Sequence, residues 1–163
     1  LSSKQYISIV EDALQELAKE VDFKLHVIGN FDYYLPNVNL MVSKWSLEKE
    51  ISQMQTLDIG IYPLPNNEWV YGKSGLKAIQ YMSFGIPTVA TKIGNTPNII
   101  TNREEGILVE SSSEWISALK ELIKNKSLRE EMGKKARKKA IKYFSQKAVS
   151  KSYAKVLNLC LDR

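Results

Sequence analysis

The sequence predicts an α/β fold, a Rossmann-like three-layer arrangement in which a parallel sheet carries helices on both faces and is followed by a helical C-terminal tail. Three observations carry that expectation. Short β-rich runs alternate with stretches of helical periodicity through the first two thirds of the chain, the pattern of strands joined by crossover helices. Beyond about residue 112 only helical patterns recur. The length of 163 residues, 44% of them apolar, suits one well-buried core and is too short for two ordinary domains. Residues 1–163 are therefore expected to form a single domain, with tail helices over about 112–163.

Element by element, Tyr6, Val10, Ala13, Leu14, Leu17 and Val21 recur at helical spacing over residues 4–20, and Ser2 with Gln5 forms a candidate capping box. Residues 23–28 (FKLHVI) and 38–42 (VNLMV) read as buried strands on either side of a loop holding Pro36. Ser46 precedes a helical stripe of Leu47, Ile51 and Met54, with Glu48 and Glu50 near the positive end of that helix. Residues 58–62 (DIGIY) are the next strand, and residues 63–73 a loop. A helix over about 74–84 is ended by Gly85, and residues 87–91 (PTVAT) form a further strand. Thr96-Pro97 reads as a cap followed by proline at the first helical position, and residues 106–109 supply the last strand. Ser111 with Glu114 and Ser127 with Glu130 predict two capped helices, and a final helix covers about 145–161.

Composition narrows the function classes. One cysteine, Cys160, leaves no internal disulfide or multi-cysteine metal site, and the single histidine, His26, has no partner for a histidine-based zinc centre. The chain opens on Leu1 with no signal-peptide pattern, and no apolar run approaches the ~18–20 residues needed to span a bilayer. We expect a cytoplasmic protein whose numbering starts inside a longer polypeptide. Charge is segregated: residues 1–123 hold 10 Lys/Arg against 15 Asp/Glu, and residues 124–163 hold 13 against 3. The basic character belongs to the tail.

In a parallel sheet of this kind ligands sit beyond the carboxyl ends of the strands, so the loops after residues 28, 42, 62 and 91 are the ones to inspect. The richest is the third. Lys73, Ser74, Gly75 and Leu76 place a cation, a hydroxyl and a glycine at a helix N-terminus, where backbone N–H groups and the helix dipole attract anions such as a pyrophosphate. Gln80 follows Lys73 by about two helical turns and can address the same ligand. Taken alone, the constellation reads more readily as a solvated lysine and a surface amide than as a phosphate site.

The run GKSGLKAIQYMSFGIPTVATKIGNTPNII, residues 72–100, resembles the donor-binding segment of family 4 glycosyltransferases. The likeness extends through WSLEKEI (45–51), DIGIYPLP (58–65), EGILVE (105–110), residues 128–144 and the Phe144-Ser145 pair. It implies one half of a GT-B fold: the C-terminal, nucleotide-sugar-binding domain of a retaining hexosyltransferase, N-terminally truncated and inactive without the missing N-terminal Rossmann-like domain. The truncation also removes the domain's first strand, leaving Ser2, Ser3 and Lys4 as its edge.

Carried over by position, the resemblance assigns Lys73 and the amides of Ser74, Gly75 and Leu76 to the diphosphate. Trp45, with Lys44 and Ser46, falls where the nucleobase is met, and Gly29 with Asn30 matches a loop of the site. Gln80 stands where many members have the second glutamate of an E-x7-E motif that holds the donor ribose. The first glutamate falls on Gly72, and Glu68 is the nearest substitute. No cofactor is expected. The substrate implied is a UDP- or GDP-linked sugar, with a glycan or lipid-linked acceptor bound by the absent domain.

Such chemistry needs no metal if preorganised positive charge meets the leaving diphosphate, and the one DxD-like possibility, Asp32, lacks a second carboxylate. Lys134, Lys135, Arg137, Lys138, Lys139 and Lys142 surround a stripe of Leu128, Met132, Ala136, Ala140 and Tyr143. That face reads first as solvated and second as a peripheral attachment to an anionic membrane, whereas the motifs of nucleic-acid binding are missing. His26 reads as a structural strand residue, Trp115 as core with Leu119 and Leu122, and Cys160 as a small buried or interfacial residue. Trp69 either plugs the core or covers a ligand. The alternative to an enzyme part is a non-catalytic Rossmann-like binding or membrane-docking module.

Overall fold

In the computed structural model, which describes residues 4–161, the opening helical pattern is interrupted in the middle. Helix α1 (Lys4–Ile7) passes through a 3-10 turn (Ser8–Val10) into α2 (Glu11–Ala18), the break falling where Val10 leaves helical geometry at φ −115°, ψ 4°. Val10, Ala13, Leu14 and Leu17 are buried, so the predicted stripe still forms one face. The Ser2 cap and the Cys160 side chain lie outside the described residues.

Among the described residues five strands follow: β1 (Leu25–Ile28), β2 (Leu40–Ser43), β3 (Gly60–Tyr62), β4 (Thr88–Thr91) and β5 (Gly106–Val109). All pairings are parallel, with Leu25 opposite Leu40, Ile61 opposite Val89, and Val89 opposite Ile107. β5 is buried throughout and β4 over its first three residues, the continuous apolar pattern required of strands covered on both faces. Among the described residues, however, the ladder is split into a β1-β2 pair and a β3-β4-β5 sheet, so β1 and β3 are each hydrogen-bonded there on one side only. β2 departs from the expected buried strand: Met41 and Val42 are 38% and 40% exposed, because β2 is an edge paired only with β1.

The helices are α3 (Leu47–Met54), α4 (Glu68–Tyr71), α5 (Leu76–Ser83), α6 (Thr96–Ile99), α7 (Ser112–Lys124), α8 (Lys126–Lys139) and α9 (Gln146–Leu161), with a π-helical turn (Ala140–Phe144) before the last. Four sequence expectations change. Residues 63–73 are not all loop, since Asn67 caps α4 by accepting from the Val70 N–H. Ser127 is inside α8, and Asn125 is the cap, its Oδ1 accepting from Leu128 N at 2.9 Å. Thr96 is a helical residue rather than a cap, and its hydroxyl donates to the Thr91 carbonyl at 2.6 Å, tying α6 to the end of β4. The α3 stripe is mostly outside: Met54 is buried while Leu47 and Ile51 are exposed. Ser46 occupies the cap position of α3 without bonding its amides. The neighbouring Glu48 carboxyl is held below its usual range by its own backbone N–H and then by the Ser46 hydroxyl. The capping box of Ser111 and Glu114 forms as expected.

A single core joins the two ladders. Leu14, Leu17, Leu25 and Val27 pack in one cluster with Val89, Val109, Trp115 and Leu119, so α2 and α7 cover the same face of both. A second cluster of Ala78, Met82, Ala90, Ile99, Leu108 and Ala136 closes the opposite layer. Gly133 makes that layer possible, because a Cβ there would collide with the Gly85 carbonyl, where α8 crosses the end of α5.

The basic face of α8 is less free than its sequence implies. Lys139 pairs at 3.0 Å with Glu105, which is buried and also accepts from Thr101 N. Arg137 donates to the Ser83 carbonyl, and Lys135 pairs with Glu131 at 2.8 Å. Lys134, Lys138 and Lys142 remain exposed.

Candidate functional site: an anion cradle at the start of α5

The backbone before α5 turns through Gly75, whose φ of +75° favours glycine and whose absent Cβ leaves room for the Ile99 side chain packed against it. α5 therefore starts abruptly at the carboxyl end of β3, and no side chain caps its N-terminus. The leading N–H groups of a helix have no intrahelical partners and carry the positive end of the dipole. Ser74 is fixed from behind by Asn95 Nδ2, which donates to its carbonyl at 3.2 Å. Lys73 has its backbone N–H on the Val70 carbonyl and its ammonium 4.7 Å from the centre of the Tyr6 ring. These groups open onto a cleft of about 1010 Å³ that runs between β1 and β3.

Tyr6, Tyr62, Lys77 and Tyr81 also line the cleft, and sequence reasoning missed all four. Lys77 was legible, since it follows Lys73 by one helical turn. The tyrosines were not, since only the fold brings Tyr6 to the end of β3. Burial, and then the neighbouring Tyr6, raises the Tyr62 hydroxyl above its ordinary range. Burial, and then Tyr62, pushes Tyr81 up to about 12, so both phenols are donors at neutral pH.

A smaller hollow of about 90 Å³ adjoins this cleft, lined by Trp45, Glu50 and Gln53. His26, Lys77 and Tyr81 line both spaces. His26 behaves as a strand residue: its Nε2 is hydrogen-bonded to Ser43 Oγ at 2.8 Å, and burial, then Lys24, lowers its pKa.

The structure thus brings Lys73, Ser74, Gly75 and Leu76 together and places Trp45 next door. It separates the other predicted residues. Gln80 lines neither space. Its Nε2 donates 3.2 Å to Glu50 Oε1 on α3, and its Oε1 is buried without a partner, so its amide is held toward α3. Gly29 and Asn30 line neither; the Gly29 N–H is bonded to the Ser43 carbonyl. Glu68 is exposed in the first turn of α4, not in a loop, and lines neither space. Trp69 is 69% exposed and plugs nothing. Among the described residues, no three His, Cys, Asp or Glu side chains converge as metal ligands would.

The Gln80–Glu50 bond makes one substitution informative. Gln80→Glu removes the donor and sets two carboxylates against each other in a half-buried place, which should lower stability by about 1–3 kcal/mol at neutral pH. Protonation of the pair relieves the repulsion, so the deficit should shrink as pH falls from 7 to 5. Urea unfolding at the two pH values measures it. A pH-independent loss would mean that the two side chains do not meet.

Comparison with known proteins decides the family. A model of the family described as Glycosyl transferases group 1 matches residues 1–139. The chain belongs to that family. Among the group 1 transferases and related enzymes, it is 26% identical over 161 residues to N-acetyl-alpha-D-glucosaminyl L-malate synthase of Bacillus anthracis, covering 92% of this chain and 42% of that protein. A glycosyltransferase from Rickettsia africae superimposes with a TM-score of 0.78 at 18% identity, over 99% of this chain and 45% of that one. The C-terminal domain of a group 1 glycosyl transferase from Francisella tularensis has a TM-score of 0.53 at 27% identity, over 64% of this chain and 54% of its own. This group 1 chain therefore has the fold of a GT-B C-terminal domain and spans less than half the length of its Bacillus and Rickettsia relatives. Among its described residues no helix is long and apolar enough to cross a membrane.

Proposed function

We propose that this transferase chain binds the nucleoside diphosphate part of a UDP- or GDP-linked hexose, for transfer with retention of configuration to a glycan or lipid-linked acceptor carried by an N-terminal Rossmann-like domain. The observation that carries the reading is the uncapped start of α5, with Lys73, Ser74 and Gly75 facing a large cleft at the carboxyl end of β3. As the bond to the anomeric carbon breaks, negative charge grows on the leaving diphosphate, and donors already aimed at it lower the barrier. Lys73 and Lys77 supply charge, and the N–H groups of α5 supply oriented dipoles. Trp45 lines the adjoining hollow, and in this reading its indole would stack on the base. A family 4 assignment, a cytoplasmic location and a role in polysaccharide synthesis fit this reading. Exposed Lys134, Lys138 and Lys142 suit a peripheral position on an anionic membrane.

Because the charge is met by side chains and a helix end, binding should not need a divalent cation. A calorimetric titration with UDP and GDP in excess EDTA should give the same affinity as one in Mg²⁺. A loss in EDTA that Mg²⁺ or Mn²⁺ restores would refute metal independence, and no binding of either nucleotide in any buffer would refute the donor-site reading.

A further inference from the structure

We propose that the hollow beside Trp45 reads the edge of a guanine, through the side chains of Gln53 and Glu50, so that the nucleotide bound is a guanosine diphosphate. This assignment rests on the donor-site reading above and adds the base to it. The hollow is unusual in what its walls leave unpaired. Gln53 and Glu50 stand three residues apart on α3, on one face of the helix, and both line it. Gln53 Nε2 is committed to the Lys44 carbonyl at 3.1 Å, which fixes its Oε1 as the free end of the amide, and that oxygen is buried without a partner. Gln80, which lines neither space, gives its Nε2 to Glu50 Oε1 and so holds the carboxylate in place. α3 therefore offers two acceptors side by side. A buried acceptor left without a donor costs folding free energy, which an N–H group entering the hollow returns.

Donors come from α5. Lys77 and Tyr81, one turn apart, line both the hollow and the cleft, and Tyr81 keeps its proton because burial, and then Tyr62, pushes it up to about 12. His26 Nδ1 is also buried without a partner, and it takes either role according to which way the bond between His26 Nε2 and Ser43 Oγ runs. A volume of about 90 Å³ admits the edge of a base and not a whole nucleoside, which leaves ribose and diphosphate in the adjoining cleft. Guanine presents one acceptor, O6, beside two donors, N1–H and the 2-amino group. Against two acceptors on α3 and the donors of α5, each of these groups finds a partner. Uracil presents a single N–H between two carbonyls, so one carbonyl would face Glu50 or Gln53 oxygen and one acceptor would stay unpaired.

Calorimetric titration of the 163-residue chain with GDP, UDP and IDP tests the assignment. GDP should bind roughly tenfold or more tighter than UDP. IDP, which differs from GDP only by lacking the 2-amino group, should bind about fivefold more weakly than GDP. Gln53→Met removes the acceptor at similar length and should lower GDP affinity about fivefold while leaving UDP within about twofold. UDP binding as tightly as GDP would overturn the base assignment and leave the diphosphate site standing, whereas binding of none of the three would overturn both. IDP equal to GDP would remove the acceptor pair from base reading, and this comparison holds even if Gln53→Met proves unstable. An equal loss for GDP and UDP in Gln53→Met would make Gln53 structural and contradict the proposal.

Discussion

Replacing Lys73 by alanine should weaken nucleoside diphosphate binding by about 1.5–3 kcal/mol, the scale of a hydrogen bond to a charged group, or roughly ten- to a hundredfold in affinity. The side chain reaches the cradle from a loop, lies against the Tyr6 ring and is outside the buried core, so its removal leaves the core intact. The melting temperature without ligand should hold within about 1 °C of the wild type, as expected when a surface change is worth a few tenths of a kcal/mol. Arginine at the same place should retain more affinity than alanine, because it restores a cation. A calorimetric series on the three proteins checks both points. Equal affinities would remove Lys73 from the site, and a parallel loss of melting temperature would make its role structural.

Trp115→Ala should be the most damaging single change to the fold. The indole is 3% exposed in the core that links α7 to α2 and to both halves of the split sheet. Large-to-small replacement of a buried tryptophan costs about 3–5 kcal/mol through lost burial and the cavity left behind. Against a total stability of about 5–15 kcal/mol, that is enough to leave a measurable unfolded fraction. Urea unfolding should show a lower midpoint with little change in slope. A loss below about 1 kcal/mol would mean that α7 does not hold the two ladders together.

The parts of the fold that were legible in the sequence are those set by short-range rules. β4 and β5 are buried apolar runs, Ser111-Glu114 is a complete cap, and Gly85 ends a helix at φ +72°. Asn125 displaced Ser127 as a cap because both are good cap residues within two positions, and a pattern cannot choose between them. The exposure of β2 and of Leu47 and Ile51 was not legible, since apolar periodicity gives the phase of an element and not what covers it.

At the site, the residues contiguous with the turn at Gly75 line one cleft together because the helix start fixes them side by side. Gln80 lies apart from them because α5 begins only at Leu76, so Lys73 is not on its helical lattice, and α3 offers the nearer partner in Glu50. Tyr6 reaches the cradle across a long sequence separation that only the tertiary structure defines.

The central claim is that the start of α5 is where the diphosphate binds. Amide and indole shifts of the 163-residue chain, followed during titration with UDP and with GDP, test it most directly. Saturable shifts concentrated over residues 72–77 are expected, with the Trp45 indole moving on the same curve. Shifts confined to α8, or none at millimolar nucleotide, would contradict it.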